Sequence, residues 1–193
     1  MHTQNLIDYF NTFIPLTQEE ETFLKNVFQE RKVKKRQFLL SQGDVCTKNS
    51  FVVEGCFRMY TLDEKGKEHN PQFATENWWI GDIGSFHSEQ PSNLYIEALE
   101  HAIILQIKKE DQLKLFVEYP KFNQIFRVFT ENALVSSQER ILQNISSTAE
   151  ERYRYFANKH PELLQRISNV QIASYIGVTP EFLSKIRKDI TLK

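Results

Sequence analysis

The sequence predicts an α+β protein in three parts: an N-terminal double-stranded β-helix, or jelly roll, then one long helix, then a C-terminal helix-turn-helix. Three observations carry this. Between residues 38 and 108 the chain reads as short apolar alternations, and five of its six glycines, from Gly43 to Gly84, punctuate them. From residue 120 to about 145 the apolar period is helical without interruption. Residues 169–188, NVQIASYIGVTPEFLSKIRK, then pair two short helical runs across Gly177. The corresponding boundaries are 1–112, 113–146 and 147–193.

Residues 5–29 read as two helices. Leu6, Tyr9, Phe10 and Phe13 form one stripe and Pro15 ends it. Thr17 followed by Glu20 makes a capping box, after which Phe23, Leu24, Val27 and Phe28 continue a second helix. The basic run 31–36, RKVKKR, is interrupted by Val33 at alternating spacing and reads as a solvated strand edge. Gln42-Gly43-Asp44 is a turn, Glu54-Gly55 and residues 63–67 are hairpin tips, and strands are expected at 50–53, 56–62, 70–74, 79–80, 95–99 and 102–107. Strands this short at regular intervals suit a double-sheet roll.

Along the long helix, Phe122, Phe126, Phe129, Ala133, Ser136 and Arg140 repeat at alternating steps of four and three, the seam expected of a dimer helix in a two-stranded coiled coil. A second stripe, Ile125, Val128, Val135 and Leu142, is expected to pack against the roll. At its full extent this helix would span about 40 Å. A fresh helix follows the cap within 147–151, and Pro161 separates it from the helix-turn-helix. There Ala173 supplies the small residue where two helices cross, and Gly177 supplies a left-handed backbone at the turn. Ile172, Ile176, Val178, Leu183 and Ile186 take the inward positions. Thr179 caps the second helix, Pro180 occupies its first position, and Glu181 favours its positive end. Ser184, Lys185, Arg187 and Lys188 point outward.

Composition narrows the function classes. With 193 residues, 40% hydrophobic and 25% charged, the chain is an ordinary folded protein. Its net charge of −1 is unevenly spread. Residues 147–193 hold eight Lys/Arg against five Asp/Glu, and the remaining 146 residues hold 16 against 20, so basic charge gathers on the helix-turn-helix segment. Cys46 and Cys56 are too few for a disulfide scaffold or an iron–sulfur cluster, and the five scattered histidines suggest no metal site. No secretory leader or membrane-length apolar run is visible, so a cytoplasmic protein is expected. No Ser/His/Asp or Cys/His constellation is legible, so an enzyme is not expected.

Helical lead-in, short-stranded roll, long helix and terminal helix-turn-helix, in this order, resemble the Crp/Fnr family of bacterial transcription regulators over nearly the whole chain. The most specific marks are Gln42-Gly43-Asp44, Val53-Glu54-Gly55, the 63–67 hairpin and Gly81-Asp82-Ile83-Gly84-Ser85-Phe86. The last is similar to the family's phosphate-binding cassette. The resemblance implies that Asp82 stands for the acidic residue that holds a ribose hydroxyl, and that the cassette's Arg-Ser pair falls on Ser92 and Asn93. The arginine is therefore absent. Between Lys67 and Lys108 there is no Lys or Arg, while Glu68, Glu76, Asp82, Glu89, Glu97 and Glu100 are acidic. A phosphate there would lose its bidentate partner and meet repulsion, so cyclic AMP is not the expected ligand and any other effector is unidentified. The oxygen-sensing branch of the family needs several cysteines, and this chain has two. Phe73 and Trp79 occupy alternating positions that suit either stacking on a planar ligand or core packing.

The function that the resemblance implies is a homodimeric, sequence-specific regulator on a near-palindromic double-stranded DNA site, with RNA polymerase as a further partner and no membrane partner. Base-reading positions would be Pro180, Glu181, Ser184 and Lys185, Glu181 accepting from cytosine and Lys185 donating to guanine. Thr179, Arg187, Lys188 and the terminal Lys193 would hold phosphate. The family's two-stranded wing is not expected after a helix ending so close to Lys193. The alternative reading is a small-molecule-binding roll whose helical tail serves protein interaction.

Overall fold

The computed structural model describes residues 2–191. Helices α1 (Thr3–Asn11) and α2 (Gln18–Val27) form a lead-in layer. Leu6, Ile7 and Phe10 recur on one face of α1 and are fully buried. At the start of α2 the Thr17 hydroxyl accepts from the Glu20 N–H, while the Glu20 carboxylate accepts from the Thr17 N–H, the reciprocal cap read in the sequence. Glu20 also meets the Lys121 ammonium at 2.6 Å. Burial alone would raise its carboxyl, but the bonds from Lys121 and Thr17 outweigh burial and hold it below the usual range.

The roll comprises β1 (Gln29–Val33), β2 (Phe38–Leu40), β3 (Lys48–Glu54), β4 (Phe57–Leu62), β5 (Glu68–Ala74), β6 (Trp79–Ile80), β7 (Tyr95–Ala98) and β8 (Ala102–Lys108), with a short helix α3 (Ile83–Ser88) between β6 and β7. They form two four-stranded antiparallel sheets, ordered β1-β8-β3-β6 and β2-β7-β4-β5. Val52, Phe57, Met59, Ile80, Ile96 and Ile104 fill the space between them. The first sheet is apolar on both faces. Val52 and Ile104 face the roll interior, while Phe51, Leu105 and Ile107 pack under α1 and the helices that follow the roll. Gly55 joins β3 to β4 at φ 106°, and a Cβ there would lie 2.5 Å from the Ala102 Cβ.

The chain leaves the roll through α4 (Lys109–Glu118), breaks at Pro120, and runs on as α5 (Lys121–Ser146). The apolar anchoring of α5 lies in its first half. Phe122 and Ile125 are buried, and Phe126 and Phe129 pack onto an aromatic cluster with Phe10 and Trp79. This corrects the expected dimer seam. Phe122, Phe126 and Phe129 face their own protomer, Ala133 and Ser136 continue that line beside a cleft, and Arg140 donates to the carbonyls of Asn70 and Pro71. Of the second stripe, Ile125 is buried against the helical layer, while Val135 and Leu142 are exposed. A step of four and three identifies a helix face but says nothing about what covers it, and the aromatic lead-in covers the first half of this one.

Helices α6 (Ala149–Lys159), α7 (Leu163–Arg166), α8 (Asn169–Ile176) and α9 (Pro180–Thr191) complete the described residues. Their core of Phe156, Leu163, Ile172, Ala173, Ile176, Leu183 and Ile186 also takes in Cys56 and Phe73 from the roll. The C-terminal unit therefore shares its core with the second sheet. The Ser174 hydroxyl donates to the Glu68 carbonyl at 2.8 Å and accepts from the Asn70 N–H at 3.1 Å, so α8 meets β5 through polar contacts as well.

Gly55→Ala is expected to lower unfolding free energy in urea by about 2–4 kcal/mol, because a left-handed backbone and a clash act together. Gly177→Ala, at φ 74° with open space around its Cβ, is expected to cost only about 1–2 kcal/mol from backbone strain. Equal losses at the two sites would contradict the close packing of Gly55 on Ala102.

Candidate nucleic-acid interface and effector clefts

Ser168 opens the helix-turn-helix with a reciprocal cap of the same kind, its hydroxyl accepting from the Gln171 N–H and Gln171 returning to its backbone. Gly177 terminates α8 in the left-handed region, donating to the Ala173 carbonyl. The Thr179 hydroxyl then accepts from the Phe182 N–H at 3.3 Å, which starts α9. Burial of Leu183 and Ile186 turns the opposite face outward, and Glu181, Ser184, Lys185 and Lys188 are exposed along it. Hydrogen bonds from its own N–H and from the Thr179 side chain hold the Glu181 carboxyl below the usual range. The Ser184 hydroxyl is turned back onto the Pro180 carbonyl at 2.9 Å, and Arg187 reaches Asn169 at the start of α8. Sequence reasoning missed Phe182, 47% exposed beside this face; its apolar character had suggested no surface role. Lys193 lies outside the described residues.

In the cassette, Asp82 caps α3. Its Oδ1 accepts from the Ser85 N–H at 3.2 Å and its Oδ2 from the Ser92 hydroxyl at 2.6 Å. Ser85 in turn accepts from the Cys46 N–H and donates to the Gln90 carbonyl, and the Ser92 oxygen accepts from the Leu94 N–H. Gly81, Asp82, Ile83, Gly84, Ser85 and Ser92 thus come together, with Ser92 buried. Asn93 is drawn away, its carbonyl accepting from the Thr61 hydroxyl. A cleft of about 280 Å³ lies between the cassette, whose Gly81, Asp82, Ile83 and Phe86 line it, and α4 and α5. Lys48, Asp82, Gln112, Phe126, Arg127 and Thr130 are among its walls. Gln112 is 8% exposed and its Oε1 has no partner among the described residues.

Two expectations about this region are corrected. Phe73 and Trp79 do not share a pocket: Trp79 packs on Phe51, Phe126 and Phe10, whereas Phe73 packs on Tyr175. The reason is topological, since β5 and β6 belong to different sheets and side-chain alternation does not carry across the turn between them. The acidic stretch is also not a bare negative surface. Arg58 holds Glu97 and Glu68, Arg166 holds Glu76 and Glu100, and Lys109 holds Glu89, while Asp82 is used as a cap. Its partners come from outside the 67–108 window, and Lys48 and Arg127 bring further positive charge to the cleft.

Arg166 also ties the C-terminal unit to the roll. It meets Glu76 through two bonds of 2.9 Å and reaches Glu100 from the other side. Burial by itself would raise the Glu76 carboxyl, but Arg166 and the N–H groups of Glu76 and Gly55 bring it down to about 2. Nothing local signals this contact, because the partners are 66 and 90 residues apart.

A family profile described as the cyclic nucleotide-binding domain matches residues 30–119, which run from β1 into α4 and its end. The chain is 28% identical over 183 residues to the anaerobic regulatory protein of Aggregatibacter actinomycetemcomitans, covering 89% of this chain and 70% of that protein. It is 26% identical over 187 residues to the fumarate and nitrate reduction regulatory protein of Vibrio cholerae, covering 90% and 74%. Among solved structures it superimposes on FixK2 from Bradyrhizobium japonicum with a TM-score of 0.76 at 19% identity, over 86% of this chain and 85% of that one. A cyclic-nucleotide-type roll joined through a long helix to a helix-turn-helix defines a transcription regulator of one class. Over most of its length the chain is similar to regulators of the Crp/Fnr family. Among the described residues no helix is long and apolar enough to cross a membrane, and no group of three His, Cys, Asp or Glu side chains is placed to hold a metal ion.

Because the Glu76 pKa is depressed from its ordinary value to about 2, its contribution to stability is present above about pH 4.5 and lost as pH falls toward 2. Acid titration of the melting temperature should therefore show a loss in that window which Arg166→Met flattens. An unchanged acid profile in the variant would contradict the pairing.

Proposed function

We propose that the protein is a dimeric, sequence-specific DNA-binding regulator that sets α9 into the major groove and works without cyclic AMP. The observation that carries this reading is the exposed polar face of α9, which holds Glu181, Ser184, Lys185 and Lys188 behind a capped helix start. Lys185 reads a guanine edge and Glu181 accepts from a cytosine amine. Pro180, lacking a donor, shapes the helix start. Thr179 and Lys188 contact phosphate, and Arg187 does so after releasing Asn169 or while bridging to it. Phe182 joins the candidates for contact with a thymine methyl.

Dimer pairing is assigned to the far half of α5. Leu134, Ile141 and Ile145 are exposed at steps of seven and four, with Val135 and Leu142 beside them. Two copies related by a twofold axis then present two α9 helices to half-sites about 34 Å apart, on a near-palindromic operator. The closed Asp82–Ser92 contact supports a cassette that does not use cyclic AMP, since the position that would grip the phosphate carries no charge and its hydroxyl is engaged.

Selection of bound duplexes from a random pool tests the reading as a whole, with a two-fold-symmetric consensus as the expected outcome and no enrichment as the result that would sink it. Lys185→Ala should weaken consensus binding by about 1–3 kcal/mol and relax one base position in each half-site; unchanged affinity and preference would remove α9 from the groove. Ile141→Glu should shift sedimentation toward monomer while leaving the melting temperature near that of the parent. A dimer that survives this change would exclude the far half of α5 as the seam.

A further inference from the structure

A second cleft, of about 320 Å³, opens where the roll, the far half of α5 and the C-terminal helices meet. Its volume is in the range that holds small organic ligands. Phe73 and Trp78 wall it from the roll, Phe156 and Tyr175 from the C-terminal unit, and Ser137 and Arg140 from α5. It is separate from the cassette cleft and shares no lining residue with it.

Arg140 is the unusual group. Its Nη1 donates to the Pro71 carbonyl at 2.5 Å, and its Nη2 to the carbonyls of Asn70 at 3.2 Å and Tyr175 at 3.4 Å. The guanidinium lies 4.5 Å from the centre of the Tyr175 ring, and its Nε is buried with no partner among the described residues. Every acceptor is neutral. Arg58, within the second sheet, and Arg166, between α7 and the roll, each hold two carboxylates. Burial pushes the Arg140 pKa below its ordinary value, with Tyr175 opposing, as expected of a half-sequestered cation without a counter-ion. The acid on the cleft wall, Glu162, is directed to His160, whose Nδ1 it approaches at 3.7 Å. An uncompensated guanidinium beside four aromatic rings has the chemistry to take a planar ring bearing one carboxylate, the ring lying on the aromatic walls and the carboxylate supplying the missing charge.

We propose that this cleft is a binding site for small aromatic carboxylates, held by Arg140 and the rings of Phe73, Trp78, Phe156 and Tyr175. The site goes beyond the DNA-binding reading and does not rest on it, since the chain alone supplies every wall.

Calorimetric titration of the full chain with 2-naphthoate, and with 2-naphthamide as its uncharged counterpart, tests the proposal. Saturable one-to-one binding of the carboxylate is expected, at least tenfold tighter than the amide. Arg140→Gln should weaken it at least tenfold. Ser137→Leu, which fills the cleft from an exposed position on α5 and leaves the Arg140 carbonyl bonds in place, should do the same. If Arg140→Gln does not fold, Ser137→Leu decides alone. No saturation by 2-naphthoate, equal affinity for the amide, or binding undiminished in the Ser137 variant would each overturn the assignment.

Discussion

The long helix is rooted at its start in an aromatic cluster, and the rest of the molecule follows from that anchor. Phe126 and Phe129 lie against Phe10 and Trp79, so the first turns of α5 are part of the core between the helical layer and the first sheet. Four stacked or edge-on rings of this size remove several hundred Å² of apolar surface from water, by the usual 150–250 Å² for each ring. The direction in which α5 leaves the roll is thereby set before any partner is involved. From that direction come the position of the helix-turn-helix on the second sheet, the two clefts that follow one another along α5, and the exposure of Leu134, Ile141 and Ile145.

Local chemistry made much of this legible in the sequence. The Thr17–Glu20 cap, the break at Pro120, the turn at Gly177 and the cap at Thr179 each depend on residues within four positions of one another. Such signals survive without knowledge of the fold. What the sequence left open was the identity of the surface that each amphipathic face meets. The Phe122–Arg140 line satisfies a coiled-coil spacing, yet it serves the lead-in helices at one end and β5 at the other. Phe73 and Trp79 look like neighbours until β5 and β6 are seen to belong to different sheets. Charge was the least legible property. The acids between residues 67 and 108 find their cations at Arg58, Lys109 and Arg166, and proximity in sequence carries no trace of the last pairing.

Three of the buried or half-buried arginines, one within the second sheet and two at the domain junction, are held in different ways. Arg58 closes the outer face of the second sheet, joining β4 to β5 and β7. Arg166 fastens α7 to the roll through carboxylates. Arg140 reaches the same junction from α5 but ends on carbonyl oxygens, which satisfy hydrogen bonds without neutralising charge. The junction is thus strongly cross-linked on one side and electrostatically incomplete on the other, and its incomplete side borders open space.

The contact of Ser92 with Asp82 has a thermodynamic meaning beyond geometry. The carboxylate that caps α3 is held by a hydroxyl from the same roll, so the short helix is finished before any guest arrives. A guest can shift a conformational equilibrium only by the difference in its affinity for two states. At α3 the cap is complete within the chain, and a guest that acted there would do so by displacing Asp82 or Ser92. The roll's start-of-helix site is in this sense a sentence that ends without waiting for its last word: occupancy there carries little information, and sensitivity to small molecules must be sought at groups whose partners are still missing.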